Sequence, residues 1–260
     1  MLVDSHCHLD CLDLTPYDGK LALAIHAARE KSVNFILCVC VDLENAKTVL
    51  EIAKQHETVW ASFGIHPNEK MEKEIEKEMI IEYAQDKKIV AIGETGLDYY
   101  RLEGEGDIMQ ERFRRHIQAA RELKKPLIIH TRQAQEDTIK IMKEEKAQEV
   151  GGVMHCFTES MSMAQAAMDM GFYISFSGII TFKNAASLRE VVAATPLERL
   201  LIETDAPYLA PEPYRGKSNE PQYVYYVAEA IAKIKNISFT EVANQTTKNF
   251  FSLFKHASDY

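Results

Sequence analysis

Two histidines separated by one residue stand near the start of the chain, in the segment DSHCHLD that spans residues 4–10. In an extended strand, alternate side chains point to the same face, so His6 and His8 would present their ring nitrogens side by side. That spacing suits the chelation of a divalent cation. An isolated H-x-H pair is, however, more often two solvated or core histidines than a metal site. The pair therefore predicts a metal site only if further ligands converge on it.

Other residues of ligand type follow short apolar segments elsewhere in the chain. They are His66 in GIHP, Glu94 in IGET, His130 in LIIHT, His155 in VMHCF and Asp205 in IETD. Taken singly, each has an ordinary explanation, such as a hydrogen-bonded core histidine or a helix N-cap. Together they place several ionisable groups at the ends of apolar segments, which is unfavourable unless a cation or a partner compensates each charge. Imidazole and carboxylate ligands suit Zn²⁺, Mn²⁺, Fe²⁺ or Co²⁺, and a site that keeps bound water also suits Mg²⁺.

Eight short apolar segments, rich in β-branched residues, position these side chains. They span residues 2–6, 34–41, 59–65, 89–95, 126–131, 152–157, 172–178 and 199–205. Their nearly continuous hydrophobicity is typical of strands that are buried on both faces of a parallel sheet. Segments with helical periodicity lie between them, for example 19–32, 44–56 and 109–125. This alternation predicts an α/β fold, a (β/α)8 TIM barrel, as a single domain over residues 1–260.

A barrel would explain where the polar residues fall. The C-terminal ends of all its strands open on one face, where barrel enzymes keep their chemistry. The alternative is an open doubly wound sheet, which the same alternation allows. No Gly-rich phosphate-binding fingerprint follows the first segment, and this disfavours the alternative.

One charged segment, 68–83, is expected to form an amphipathic helix on the outside of the barrel. Its inward-facing residues would be Met71, Ile75 and Met79, with Ile80 as a fourth candidate.

The composition limits the classes of function. Hydrophobic residues make up 46% of the 260 residues and charged residues 27%, which is ordinary for a globular protein. The formal net charge is −9, so any contact with nucleic acid must be local. The five cysteines include no C-x-x-C pair and are expected to be reduced, in the cytoplasm. No signal peptide, no membrane span and no obligate protein partner are indicated.

The motifs resemble those of a known family, the TatD-related metal-dependent deoxyribonucleases of the amidohydrolase-like barrel group. The resembling segments are, in order, VDSHCHLD, GIHP, IGETGLDYYR, PLIIHTR, GVMHCF, YISFSGIITFKNA and LLIETDAPYLAPEPYRGKSNEP. The resemblance implies a site for two divalent cations, with Mg²⁺, Zn²⁺ and Mn²⁺ as candidates. His6, His8 and Asp205 would hold one cation. His130 and His155 would hold the second, with Glu94 shared between the two.

Four residues are candidates for catalysis beside such cations. Asp205, as ligand and proton acceptor, is the first candidate for the general base, and Glu203 is either a second candidate or a partner of a ligand. His66 and Arg101 would hold phosphate oxygens or protonate the leaving group. The planar guanidinium of arginine suits a phosphate because it forms two parallel hydrogen bonds.

The predicted function is metal-dependent hydrolysis of phosphodiester bonds at DNA ends, with release of nucleotides from 3′ termini, as the resemblance suggests. The alternative is a two-metal hydrolase of small esters, amides or aminoacyl-tRNA esters, because the same metal chemistry serves all of these substrates. A metal-stabilised binding module without catalysis is disfavoured, since a carboxylate that could act as a base stands among the ligands.

Overall fold

The computed structural model describes residues 1–102 and 106–258. Its strands are β1 (Leu2–Cys7), β2 (Val33–Cys38), β3 (Val59–Phe63), β4 (Ile89–Asp98), β5 (Leu127–Arg132), β6 (Gly152–Met154), β7 (Tyr173–Phe176) and β8 (Leu200–Ile202). Its α-helices are α1 (Leu21–Glu30), α2 (Leu43–Gln55), α3 (Lys77–Tyr83), α4 (Asp107–Leu123), α5 (Gln135–Glu144), α6 (Met161–Asp169), α7 (Ala186–Ala194), α8 (Val224–Lys235) and α9 (Phe239–Leu253). Strand and helix alternate as far as β8, and two helices follow it.

The eight strands form one parallel sheet in which each strand pairs with the next along the chain. The two ends of the sheet meet just beyond β8. There the Asp205 amide donates to the His6 carbonyl at 2.9 Å, and the His8 amide donates to the Ala206 carbonyl at 2.8 Å. At the same seam, the buried Asp4 carboxylate accepts the Thr204 amide at 2.8 Å. The prediction of a (β/α)8 barrel is confirmed, and the open doubly wound sheet is excluded.

An apolar cluster fills the interior of the barrel, and seven strands contribute to it. Its strand residues include Val3, Leu37, Trp60, Val90, Ile128, Val153 and Leu201. Phe250 of α9 joins this cluster and is fully buried. Beside it, Asn249 donates to the Leu200 carbonyl at 2.9 Å, at the first residue of β8. Helix α9 therefore covers the N-terminal end of the barrel, and the opposite end is left for the functional site.

The helices form the outer layer because each buries an apolar face against the strands. On α4, Phe113, Ile117 and Ala120 recur at intervals of three or four residues and are fully buried. Helix α2 begins with a capping box, in which the Asp42 carboxylate accepts the Asn45 amide at 2.7 Å and the Asn45 side chain accepts the Asp42 amide at 3.3 Å. Across residues 1–102 and 106–258, no helix has the length and apolar character needed to cross a membrane.

The helix expected over 68–83 is shorter than predicted, because α3 begins only at Lys77. Ile75 and Ile80 are buried, Met71 is half-buried, and Met79 is 42% exposed. The prediction for Met79 was therefore wrong. The loop before α3 is held in a non-helical path, since Arg112 of α4 donates hydrogen bonds to its carbonyls, among them that of Glu69 at 2.9 Å.

Candidate metal centre

The first group of ligand-type side chains lies where β1 meets the segment after β8. The Nε2 atoms of His6 and His8 lie 3.3 Å apart. Asp205 Oδ1 lies 3.6 Å from His6 Nε2 and 3.4 Å from His8 Nε2. The two hydrogen bonds of the barrel seam place Asp205 beside the histidines, with its backbone in the left-handed region at φ 58°. All three side chains are shielded from bulk water, and His6 is fully buried.

A second group lies on the other side of Glu94 and contains three histidines. Glu94 Oε1 lies 2.9 Å from His155 Nε2, 3.1 Å from His130 Nδ1 and 3.4 Å from His66 Nε2. His66 and His155 follow β3 and β6, whereas Glu94 and His130 lie within β4 and β5, which extend past them to Asp98 and Arg132. The six predicted ligands therefore meet at the C-terminal end of the barrel, and His66 joins the second group.

Glu94 lies between the two groups and presents a different oxygen to each. Its Oε2 lies 3.3 Å from His6 Nε2 and 4.0 Å from His8 Nε2, whereas its Oε1 faces the second group. The backbone before it needs glycine: Gly93 has φ 147°, and a Cβ there would lie 2.5 Å from the Ile128 carbonyl oxygen. This close approach of β4 to β5 sets the carboxylate at the centre of the site.

Two further carboxylates hold histidines of the second group from behind. Glu203 Oε1 lies 3.1 Å from His155 Nδ1 and accepts the Cys156 amide at 2.8 Å. Asp98 Oδ2 lies 3.3 Å from His130 Nε2. Such contacts fix the orientation of an imidazole and direct its other nitrogen into the site. Glu203 thus contacts a predicted ligand, His155, and its role as that ligand's partner stays a prediction.

Asp98 is a candidate site residue that the sequence reasoning missed. A usable signal was present, because Asp98 follows Glu94 by four residues in IGETGLDYYR. Residues an even number apart share a face of a strand, so both carboxylates point the same way along β4. Asp98 is 2% exposed and also accepts a hydrogen bond from the Asn68 side chain at 2.8 Å.

The pKa values of the centre depend on the balance of burial and charge. Burial by itself raises the pKa of Glu94, but the charge of His155 and the hydrogen bonds with His130 and His155 hold it well below its usual range. Burial lowers the pKa of His155, yet Glu94 and Glu203 raise it well above its usual value. For His66, burial dominates and lowers the pKa to about 4, so that ring is uncharged at neutral pH.

The donor set fits divalent cations. Among the described residues, three groups have ligand atoms within 4.8 Å of one another: His6, His8 and Asp205; His66, Glu94 and His130; and His6, His155 and Glu203. Imidazole nitrogen and carboxylate oxygen are ligands for zinc, manganese and related cations. In the last group, His6 Nδ1 and Glu203 Oε2 are buried without a hydrogen-bond partner in the described part of the chain. Such a cluster of buried acids and bases is stabilised when a cation binds.

Several members of these groups form the floor of a pocket with a volume of about 640 Å³. His8, His66, Glu94, His130, His155 and Asp205 line it, together with Arg101, Arg132 and Tyr208. Arg101 lies at the exposed rim rather than at the floor, and its amide donates to Asp98 Oδ1 at 3.3 Å. Glu203 is fully buried behind His155. Of the predicted catalytic residues, Asp205 and His66 therefore lie on the floor of the pocket, Arg101 lies at its rim, and Glu203 lies behind His155.

Comparison with known proteins gives a family. The family model described as TatD related DNase matches residues 3–255. The uncharacterized metal-dependent hydrolase YcfH of Escherichia coli K12 is 45% identical over 254 residues, which cover 97% of this chain and 95% of that protein. The uncharacterized metal-dependent hydrolase YabD of Bacillus subtilis 168 is 44% identical over 256 residues, which cover 98% and 99%.

A solved structure shares the fold over its whole length. The crystal structure of YjjV, a TatD homologue from Escherichia coli K12, matches with a TM-score of 0.86 at 28% identity and covers 98% of both chains. The fold, the set of side chains suited to a metal and the similar proteins all lead to the same conclusion. The chain therefore belongs to the TatD-related DNase family and is a metal-dependent hydrolase built on a TIM barrel.

Proposed function

We propose that this protein hydrolyses phosphodiester bonds at the ends of DNA and releases nucleotides from 3′ termini, with two divalent cations bound. The position of Glu94 carries the proposal, since Oε2 faces His6 and Oε1 faces His130 and His155 at 3.3, 3.1 and 2.9 Å. A carboxylate that presents one oxygen to each of two nitrogen-lined groups is arranged to bridge two cations. Membership of the DNase family supports DNA as the substrate.

The chain's own residues divide into two metal-binding sets. His6, His8 and Asp205 would hold one cation, and His130 and His155 would hold the other. Glu94 would bind both. Mg²⁺, Mn²⁺ or Zn²⁺ held there would lower the pKa of a bound water and neutralise charge on the phosphate.

Asp205 accepts the proton of the attacking water. Its side chain is 14% exposed and lines the pocket, whereas Glu203 is fully buried. Burial raises the pKa of Asp205, but the hydrogen bond with His8 and the charge of His6 hold it below its usual value. Asp205 is therefore ionised at neutral pH and can act as a base.

His66 holds an oxygen of the phosphate through Nε2. The Asn68 amide donates to His66 Nδ1 at 3.1 Å, and because an amide N–H can only donate, Nδ1 must accept. The proton of the uncharged ring is then on Nε2, which lies 3.4 Å from Glu94 Oε1 on the pocket side. The ring is thus a hydrogen-bond donor toward the substrate.

Two arginines supply positive charge at the rim. Arg101 and Arg132 line the pocket, and the Arg132 guanidinium lies 3.8 Å from the centre of the Tyr100 ring. An arginine fork pairs with the oxygens of a phosphate, and stacking on an aromatic ring orients the fork. The five cysteines are all free thiols, which supports action in the cytoplasm.

A substrate panel tests the proposal. A labelled single-stranded oligonucleotide, a bis-aryl phosphodiester and an aryl ester are each assayed with Mg²⁺, Mn²⁺ or Zn²⁺, and again after chelation. Phosphodiesters should be hydrolysed only with a cation, and the oligonucleotide should shorten from its 3′ end. Arg101→Ala should slow both phosphodiesters more than the ester, because only the phosphodiesters carry anionic oxygens.

The same panel can overturn the proposal. The net charge of −9 favours small substrates over long polyanions, so the competing function is hydrolysis of small esters, amides or aminoacyl-tRNA esters. Fast turnover of the aryl ester with no turnover of either phosphodiester would establish that alternative. Equal losses on both substrate classes in Arg101→Ala would show that Arg101 has no part in phosphate binding.

A further inference from the structure

The loop that carries His66 is held from outside the pocket by one side chain of α4. Arg112 Nη1 donates to the carbonyl oxygens of His66, Pro67 and Glu69 at 3.1, 3.4 and 2.9 Å. Another edge of the guanidinium binds Glu74, with Nε at 2.8 Å from Oε2 and Nη2 at 2.5 Å from Oε1. Arg112 is only 4% exposed.

A second residue of α4 holds the start of the same loop. His116 Nε2 accepts the Ile65 amide at 3.1 Å. Its Nδ1 lies 2.8 Å from the Arg112 carbonyl oxygen and donates to it. The imidazole is fully buried, one turn of helix away from Arg112. Side chains of α4 therefore hold the loop by hydrogen bonds to the loop backbone at residues 65, 66, 67 and 69.

The chemistry of the guanidinium explains why arginine occupies this position. A buried positive charge needs a partner, and Glu74 supplies a carboxylate in a two-bond, side-on pairing. The two N–H groups of Nη1 are then shared among the three loop carbonyls, of which that of His66 also accepts the Glu69 amide at 3.0 Å. Lysine could replace the charge, but a single ammonium cannot pair side-on with Glu74 and reach the three carbonyls together.

The loop leads directly into the metal centre. His66 Nε2 lies 3.4 Å from Glu94 Oε1. Two residues further on, the Asn68 side chain donates to Asp98 at 2.8 Å, and Asp98 holds His130. Any shift of the loop backbone therefore moves the His66 ring relative to Glu94 and removes a hydrogen bond from Asp98.

We propose that Arg112 is a positioning residue for His66: it fixes the loop so that the His66 ring presents Nε2–H beside Glu94. The inference rests on the proposed role of His66 as a donor to the substrate. Arg112 itself touches neither the metal ligands nor the pocket. Its effect on turnover passes through His66, and this separates it from a residue that only stabilises the fold.

The test is a double-mutant cycle of Arg112→Lys and His66→Gln on the metal-loaded full chain, with the bis-aryl phosphodiester as substrate. Arg112→Lys alone should lower kcat/KM by about 10- to 100-fold, as expected for a misplaced group in a catalytic site. In the His66→Gln background, the same change should lower kcat/KM by less than about twofold, because the residue through which it acts is gone. Bound metal per chain should equal that of the wild type in all three variants.

A readout independent of turnover is amide hydrogen exchange. Arg112→Lys should speed exchange at the His66 and Glu69 amides, which donate to Val41 and to the His66 carbonyl. Exchange in α5 should stay unchanged. The matched control is Arg114→Lys: Arg114 lies on the same helix and pairs with Glu144 and Glu145 at 2.6 and 3.0 Å, away from the loop. It should change neither the kinetics nor the exchange of the loop.

Each outcome decides the inference. Equal fold losses in both backgrounds, or unchanged exchange in the loop, would overturn it. If His66→Gln alone leaves turnover unchanged, the proposed role of His66 fails, while the exchange data still show whether Arg112 holds the loop. Should Arg112→Lys fold poorly, Glu74→Gln replaces it in the same cycle, since it removes the charge that orients the guanidinium and keeps the size of the side chain.

Discussion

At the scale of single residues, the proposed binding of two cations depends on Glu94. Glu94→Gln should lose one cation or bind both weakly, because an amide has only one oxygen acceptor and no charge with which to screen two cations from each other. Metal analysis of purified protein, counted per chain, measures this. Glu69→Gln is the control, since Glu69 is another carboxylate that lines the pocket but is exposed.

Because of Glu94, we also expect that metal uptake by this protein does not depend on bicarbonate. Some two-metal barrels bridge their cations with a carbamylated lysine, but no lysine stands at the C-terminal end of any of the eight strands, and Glu94 lies between the two groups of ligand-type side chains. Wild-type protein should therefore take up metal equally well with and without bicarbonate. An unchanged metal count in Glu94→Gln would show that Glu94 does not bridge.

Asp205 gives a second prediction at this scale. Asp205→Asn keeps the shape of the side chain but cannot accept a proton, so kcat should fall by roughly 10²- to 10⁴-fold, as for a lost general base. The thermal midpoint should change little, because the Asp205 amide still bonds the His6 carbonyl. Activity within a few-fold of the wild type would assign the base to another residue.

At the scale of elements, the strands were predictable and the supports of the site were not. Buried parallel strands have a nearly continuous apolar sequence, so the residues that follow them, such as His155 and Asp205, could be assigned to one face of the barrel. Met79 and the loop before α3 could not. The path of this loop depends on hydrogen bonds from Arg112, more than forty residues away, to its carbonyl groups, and local periodicity contains no information about that contact.

Helix α9 supports the end of the barrel opposite the metal centre. Phe250→Ala should lower the free energy of unfolding by about 3–5 kcal/mol, since a fully buried ring leaves a cavity between α9 and the barrel interior. Denaturant unfolding measures this loss. Phe251→Ala, at a half-buried position on the same helix, should lose less. Bound metal should be unchanged in both, and a loss of metal in Phe250→Ala would contradict the separation of the two ends.

At the scale of the whole molecule, the barrel is a frame whose two ends do different things. Hydrogen bonds between β1 and the segment after β8 close the frame, and the same bonds place Asp205 beside His6 and His8. The hydrogen bonds that close the barrel are thus the same ones that assemble the first ligand group. In the sequence, the segments around His6 and around Asp205 are two separate motifs. Only the closed barrel shows that backbone hydrogen bonds join them.

The stability of the whole molecule should also depend on pH through His116. Burial lowers the pKa of His116 to about 4 in the folded chain, against an ordinary value of 6.5. Between these values the unfolded chain binds a proton that the folded chain does not, so the free energy of unfolding falls as the pH drops from 6.5 toward 4. Below pH 4 both states are protonated, so His116 no longer makes the free energy of unfolding change with pH.

His116→Gln tests that dependence, because glutamine can still accept the Ile65 amide and donate to the Arg112 carbonyl but does not titrate. Between pH 6.5 and 4, its unfolding free energy should vary with pH less steeply than that of the wild type, by up to about 1.4 kcal/mol per pH unit. Urea unfolding at a series of pH values gives both slopes. His26→Gln, at an exposed histidine of α1, is the control for the loss of an imidazole elsewhere in the chain. Parallel slopes for His116→Gln and the wild type would mean that the pKa of His116 is the same in the folded and the unfolded chain.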